Sequence, residues 1–174
     1  MTKTSLIIPA WNAELTIEDC ILSVIKANLS PNEIIVVDDV STDNTVNIIE
    51  SLAKIYSNIK LLKLVKNSGP AAARDYGAKA SSGDVIFFTD SDTLILENTF
   101  VNCLNTIKEY KADAVSGIYH PDPINKGMAQ LYKALFFNYQ FIRYNKPFIY
   151  ETFNGQIAAI KKEVYINTGG YNKE

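Results

Sequence analysis

Residues 83–96 read GDVIFFTDSDTLIL, so four apolar residues, Val85 to Phe88, run directly into Asp90, Ser91 and Asp92. Two carboxylates one residue apart on a turning chain can face one small volume, where they repel each other unless a metal ion or a basic side chain joins them. Hard oxygen ligands suit Mg2+ or Mn2+, which complete their shells with water and phosphate oxygens. The chemistry open to this tripeptide is therefore to hold a divalent ion against a diphosphate. The plainer alternative is a solvated turn, or Asp90 capping a helix that begins near Glu97.

The elements around the tripeptide decide what it can meet. Apolar runs at 4–9, 33–38, 59–65, 84–90 and 112–119 predict five strands. Ile17, Ile21, Val24 and Asn28 fall at helical spacing with Asn12 as an N-cap, and Val46, Ile49, Leu52, Ala53 and Tyr56 do likewise. Pro70 in a first turn and Gly83 as a stop frame a third helix. Strand–helix alternation predicts an α/β domain, a mostly parallel sheet with helices on both faces. Ligands of such sheets bind outside the carboxyl ends of the strands. Pro9-Ala10-Trp11-Asn12, Asp38-Asp39 and Asp90-Ser91-Asp92 all collect there.

With 174 residues, 47% hydrophobic and 21% charged, the chain can bury one sizeable core, which excludes disorder. A net charge of −2 offers no basic field for a nucleic-acid backbone, so a small-molecule partner is expected instead. Cys20 and Cys103 match no metal or redox spacing and are expected to be buried structural thiols, which suits a reducing, cytoplasmic compartment. The start of the chain has no secretory pattern, and no apolar run approaches the ~20 residues that span a bilayer. The single histidine, His120, stands in His120-Pro121-Asp122-Pro123 and is expected in a turn. Ser41 to Thr45 form a helix-start cluster whose side chains are expected to cap backbone N–H groups.

Four segments, 5–24 (SLIIPAWNAELTIEDCILSV), 33–49 (EIIVVDDVSTDNTVNII), 66–92 (KNSGPAAARDYGAKASSGDVIFFTDSD) and 153–174 (FNGQIAAIKKEVYINTGGYNKE), follow one another in an order and spacing that resemble the family 2 glycosyltransferases of the GT-A, Rossmann-like fold. The resemblance covers nearly the whole chain. It implies a single domain over 1–174, with 1–120 as the nucleotide-sugar-binding half and 121–174 as the start of an acceptor-side half, incomplete at its C-terminal end. By resemblance, Pro9, Ala10, Trp11, Asn12 and Glu14 cradle the base and ribose, with Trp11 in the place usually held by tyrosine. Asp39 faces the base, and Asn67, Gly69 and Arg74 close over the nucleotide. Asp90 and Ser91 meet the ribose and diphosphate, and Asp92 holds Mn2+ or Mg2+.

The implied reaction moves a sugar from a nucleoside-diphosphate sugar, by default a UDP-sugar, to a hydroxyl of an acceptor glycan or lipid-linked acceptor, as in polysaccharide, glycolipid or glycoprotein glycan synthesis. It inverts the anomeric configuration, the metal offsets charge on the leaving diphosphate, and a general base serves the acceptor. In the family that base is an aspartate shortly after the segment here read as Gly169-Gly170-Tyr171, so it is expected beyond Glu174 and the isolated chain is expected to turn over poorly. Asp113, Asp122 and Glu151 are the substitutes to test. Two positions depart from the pattern. Val40 stands where the family has glycine, and Asp75 replaces an asparagine, where it is expected to pair with Arg74.

Two alternatives stay open: a catalytically silent nucleotide-sugar-binding module and a Mg-binding receiver-type signalling domain, although a receiver's acidic pair follows its first strand. A sugar-phosphate nucleotidyltransferase would need a glycine-rich loop after strand one, and PAWNAEL has no glycine. Residues 128–150 are dense in aromatic residues and carry Lys133, Arg143 and Lys146 with no acidic residue before Glu151. Leu131, Leu135, Asn138 and Ile142 share one helical side, expected to pack on the sheet, while Phe136, Phe137, Tyr139 and Phe141 leave further apolar area. Burial within the rest of the protein or in a homodimer would use that area. So would a peripheral contact with an anionic bilayer at the inner face of the membrane.

Overall fold

The computed structural model describes residues 2–118, 120–123, 127–142 and 157–171, with backbone alone for 137 and 140–142. Four strands, β1 (Thr4–Ala10), β2 (Glu33–Asp38), β3 (Ile59–Lys63) and β4 (Val85–Thr89), are joined by helices α1 (Ile17–Lys26), α2 (Thr45–Ile55) and α3 (Gly69–Ala80). After them come α4 (Thr99–Glu109), β5 (Ala114–Ser116), α5 (Met128–Ile142), β6 (Ile157–Lys161) and α6 (Lys162–Asn167). The six strands form one sheet in the order β3-β2-β1-β4-β6-β5. β1 pairs in parallel with both β2 and β4, so the strand order reverses between β1 and β4 and leaves a crevice at their carboxyl ends. Receiver domains have a different order, with the third strand beside the first.

The apolar runs are continuous because the central strands are covered on both faces. Leu6, Ile8, Ile34, Val36, Val85 and Phe87 pack with residues of α1, α2 and α4. Their alternates Ile7, Ile35, Val37, Ile86 and Phe88 pack with Ala73 and Ala78 of α3 and Tyr165 of α6. A Cβ at Gly77 would stand 2.5 Å from Ile7 Cγ2 and 2.9 Å from Val37 Cγ2, so glycine lets α3 settle this close to the sheet.

β6 is not expected from the sequence. It runs antiparallel between β4 and β5, with Thr89 opposite Ile157 and Val85 opposite Lys161, and covers the edge that β4 would otherwise expose. The strand expected over 112–119 shortens to Ala114–Ser116. Asn12 does not cap α1, which begins four residues after Ala13 with Thr16 as its N-cap residue. Asn28 lies beyond the end of α1, where its N–H donates to the Glu97 carbonyl at 2.8 Å.

At the amino ends of the strands, far from the crevice, Glu33 is 4% exposed. It accepts Ser5 Oγ–H, the Ser82 N–H, Ser82 Oγ–H and Lys60 Nζ–H, each at 2.6 Å. Burial alone would raise this carboxyl; the donors outweigh it and bring the pKa down to about 2.

On the side of α5 expected on the sheet, Leu131 is 39% and Leu135 49% exposed, while the Ile142 side chain lies outside the described residues; Ala134 is buried. No helix among the described residues is long and apolar enough to cross a membrane.

Candidate functional site

Four chain segments meet outside the carboxyl ends of β1, β2 and β4 around a cleft of about 520 Å³. Its lining is Pro9, Ala10 and Trp11 from the end of β1, Asp39 after β2, Asn67, Gly69, Pro70 and Arg74 from the start of α3, and Asp90, Ser91 and Asp92 after β4. Trp11 presents a 59%-exposed indole at this rim.

The end of β1 is bound to the end of β2 by the Asp39 N–H, which donates to the Ala10 carbonyl at 2.8 Å. The Asp39 carboxylate in turn accepts the Ser68 N–H and the Gly69 N–H, both at 2.7 Å, and the Asp39 carbonyl accepts Asn67 Nδ2–H at 3.0 Å. The first N–H groups of a helix lack intrahelical acceptors, so a buried carboxylate placed there fixes where α3 begins. The next residue, Val40, takes φ 66° to make the turn, the left-handed region that glycine would occupy without strain.

Asn12 and Glu14 do not line the cleft. Asn12, at φ 47°, accepts the Thr42 N–H at 2.8 Å, and Glu14 accepts the Asn44 N–H at 2.9 Å. Thr45 Oγ1 accepts the Ala13 N–H at 2.7 Å, while Asp43 accepts the Glu14 N–H at 3.1 Å and Thr45 Oγ1–H at 2.6 Å. These bonds join the β1–α1 loop to the β2–α2 loop. The Ser41–Thr45 cluster therefore ties two loops together as well as starting α2.

Asp90 and Asp92 diverge. The Asp90 carboxylate forms an ion pair with Arg74 Nη2, and its carbonyl accepts the Thr93 N–H at 3.2 Å, so the side chain caps no helix. Asp92 is exposed at the cleft. Beneath them the Cys20 thiol donates to the Asp90 carbonyl at 3.5 Å. Burial first, then the negative charges of Asp92 and Asp90, push that thiol up to about 12, so it stays protonated and inert. Burial likewise pushes Cys103 up to about 11. Among the described residues no three metal-ligating side chains come together. The donor set fits an ion such as Mg2+ or Mn2+ that takes one carboxylate, Asp92, and draws its other oxygens from a bound diphosphate and water.

Asp75 meets Tyr165 Oη at 3.3 Å and Lys79 Nζ at 2.9 Å, in place of the expected pairing with Arg74. Successive helical residues point about 100° apart, which sends Asp75 inward while Arg74 turns to the cleft. Of two residues the sequence left unassigned, one lines the site and one backs it. Pro70 lines it. Tyr171 lies under Arg74, its ring centroid 5.6 Å from the guanidinium carbon. An aromatic residue directly after two glycines was the available signal.

Residues 5–169 match the family model described as "Glycosyl transferase family 2". The poly(ribitol-phosphate) beta-glucosyltransferase of Bacillus spizizenii is 35% identical over 118 residues, 66% of this chain and 19% of that protein. The crystal structure of Staphylococcus aureus TarS 1-349 in complex with UDP-GlcNAc is 26% identical with a TM-score of 0.69, over 97% of this chain and 48% of that one. The mannosyltransferase PcManGT from Pyrobaculum calidifontis, in complex with GDP-Man and Mn2+, shares the fold at 22% identity and a TM-score of 0.78, over 99% of this chain and 48% of that one. The chain thus spans about half the length of these solved structures and a smaller share of the curated relative.

Proposed function

This chain belongs to glycosyl transferase family 2, and from that membership we propose that its cleft binds a nucleoside-diphosphate sugar with a divalent ion for transfer, with inversion, to an acceptor hydroxyl in cell-envelope glycan synthesis. The observation that carries this is the strand-end tripeptide Asp90-Ser91-Asp92 at the crevice where strand order reverses, one carboxylate neutralised by Arg74 and the other exposed. Trp11 offers a flat face to a base, and Arg74 a fixed positive charge near the diphosphate. Asp92 would hold the ion, which when bound offsets negative charge on the leaving diphosphate.

A UDP-sugar is the donor best supported by sequence, because the relative solved with UDP-GlcNAc is 26% identical against 22% for the one solved with GDP-Man, although the latter has the higher TM-score. The name of the Bacillus relative supports an acceptor of the polyol-phosphate class. Inversion asks for a base on the acceptor side. Asp113 is badly placed for it, since it precedes β5 at the sheet end opposite the cleft and pairs with Lys161 at 2.8 Å. Asp122 sits in an exposed turn, its N–H donating to His120 Nδ1 at 3.2 Å; Glu151 lies outside the described residues. We assign the base to the acceptor-side half, following the Gly169-Gly170-Tyr171 turn. The exposed aromatic side chains of α5 and its Lys133 support a peripheral contact with an anionic bilayer on the cytoplasmic face, where a lipid-linked acceptor would lie.

Calorimetry of UDP and GDP, with Mn2+ and with chelator, tests the donor site. UDP is expected to bind with Mn2+ and far more weakly with chelator, and Asp92→Asn to lose at least about tenfold in the Mn2+-dependent affinity while the melting temperature holds, as befits an exposed ligand. Equal affinity with Mn2+ and chelator would refute the metal role, and no binding of either nucleotide would refute the donor site. Mass spectrometry of acceptors incubated with nucleotide sugars and the full-length gene product separates a transferase from a silent binding module.

A further inference from the structure

The Gly169-Gly170-Tyr171 turn comes from a distant part of the chain, yet Tyr171 packs behind the cleft-lining Arg74. Its ring packs edge-on against Phe88 with centroids 5.4 Å apart, two residues before Asp90, and its N–H donates to Tyr165 Oη at 3.4 Å. Arg74 lies over the ring, 5.6 Å from its centroid, and reaches from there to Asp90. Arg74 Nε and the Tyr171 hydroxyl are both buried without a hydrogen-bond partner among the described residues. A guanidinium with an unmet Nε donor is held by what remains, the ring face and the Asp90 carboxylate. With its side chain only 13% exposed, it has little solvent to turn to.

We propose that Tyr171 is the positioning residue for Arg74, and that the Arg74–Asp90 pair keeps Asp90 out of the divalent ion's shell, so that the ion enters only together with a diphosphate. This rests on the donor-site assignment above. Asp90 and Asp92 both unpaired would form a dicarboxylate able to take Mn2+ unaided. Paired with Arg74, Asp90 has its charge answered, and no further cluster of metal-ligating side chains is at hand among the described residues. Asp92 alone holds a hydrated ion weakly, because Mg2+ and Mn2+ give up water reluctantly and need several oxygens. The diphosphate supplies those oxygens, and its charge is met by Arg74, already seated. Metal and nucleotide affinity are thereby coupled, each raising the other by the same factor.

Nucleotide-free Mn2+ binding, read from the electron paramagnetic resonance of the free ion, and calorimetry of UDP in Mn2+ test this on the chain and three variants. Tyr171→Phe keeps the ring face under Arg74 and drops only a hydroxyl without a partner among the described residues, so its Mn2+ affinity is expected to stay well below that of Tyr171→Leu. Tyr171→Leu and Arg74→Met are each expected to bind Mn2+ alone several-fold more tightly than the parent and UDP with Mn2+ about tenfold more weakly. A role in packing alone would lower stability without raising Mn2+ affinity. Should Tyr171→Leu not fold, Tyr171→Met, closer in volume, takes its place. Parent-like Mn2+ affinity in Arg74→Met overturns the shielding of Asp90. Parent-like values in Tyr171→Leu overturn the positioning role. If the parent binds no nucleoside diphosphate, the donor-site assignment fails and this inference with it; if the parent binds and the variants do not differ, only this inference fails.

Discussion

The Asp39 carboxylate accepts the Gly69 N–H at 2.7 Å, and that contact sets the start of the helix that carries Arg74. Its other oxygen accepts the Ser68 N–H, and the residue is 3% exposed. Asp39→Ala is expected to cost about 2–3 kcal/mol, since it leaves two helix-start donors without their charged acceptor. Asp39→Asn keeps one acceptor and should cost about half of that. Urea denaturation measures both, and an unchanged midpoint in Asp39→Ala would mean that the helix start is held by something else.

Val40 holds φ 66° with a β-branched side chain, the conformation the family pattern assigns to glycine. Relief of about 1–2 kcal/mol of backbone strain exceeds the roughly 0.5–1 kcal/mol by which glycine loosens the unfolded chain. Val40→Gly should therefore stabilise the protein by a few tenths to about 1 kcal/mol, seen as a raised melting temperature. A fall of similar size would show that the 37%-exposed valine side chain packs more usefully than its strain costs.

Glu33 contributes a pH-dependent part of the stability. Its folded pKa of about 2 lies below the ordinary 4.5, so the unfolded chain takes up the proton first as pH falls. The stability it contributes is present above about 4.5 and drains away between about 4.5 and 2. Glu33→Gln should cost about 2 kcal/mol at neutral pH, and the gap to the parent should close through that window. Denaturation midpoints from pH 7 to pH 2 check it; a gap constant with pH would assign the loss to packing.

α5 exposes Tyr132 by 70%, Phe136 by 43% and Tyr139 by 66%, with Lys133 among them. Tyr132 and Phe136 stack with centroids 5.9 Å apart. Co-sedimentation with liposomes should rise with anionic lipid content and fall by about an order of magnitude when Phe136 and Phe137 become serine. Absence of binding to any liposome by the folded full-length protein would leave packing against protein as the use of this surface, with sedimentation velocity deciding whether a second copy supplies it.

The four parallel strands, the helices between them and the carboxylates at the strand ends were legible in the sequence because each is written locally. Apolar runs such as Ile34–Val37 need no partner to be identified, and helical spacing in Ile17, Ile21 and Val24 fixes a buried face on its own. The strand-end position of Asp90 to Asp92 follows from the run that precedes them, and so does their gathering with Trp11 and Asp39 once the sheet is parallel, whereas Arg74 was placed with them by the family resemblance alone. Only the tertiary structure decided the rest. Ile157–Lys161 becomes a strand because β4 has an open edge, a fact about a partner far away in sequence. Val40 takes a conformation its own side chain disfavours because the bonds between Asp39 and α3 outweigh the strain. Asn12 and Glu14, which motif order places in the cradle, spend their side chains on a neighbouring loop that only the folded sheet brings beside them. Arg74, Asp90 and Tyr171 come from three distant segments, and which charge Arg74 answers depends on how α3, β4 and the final turn pack together. Local sequence sets what each segment prefers; the burial of the whole sheet sets which preferences meet and which yield.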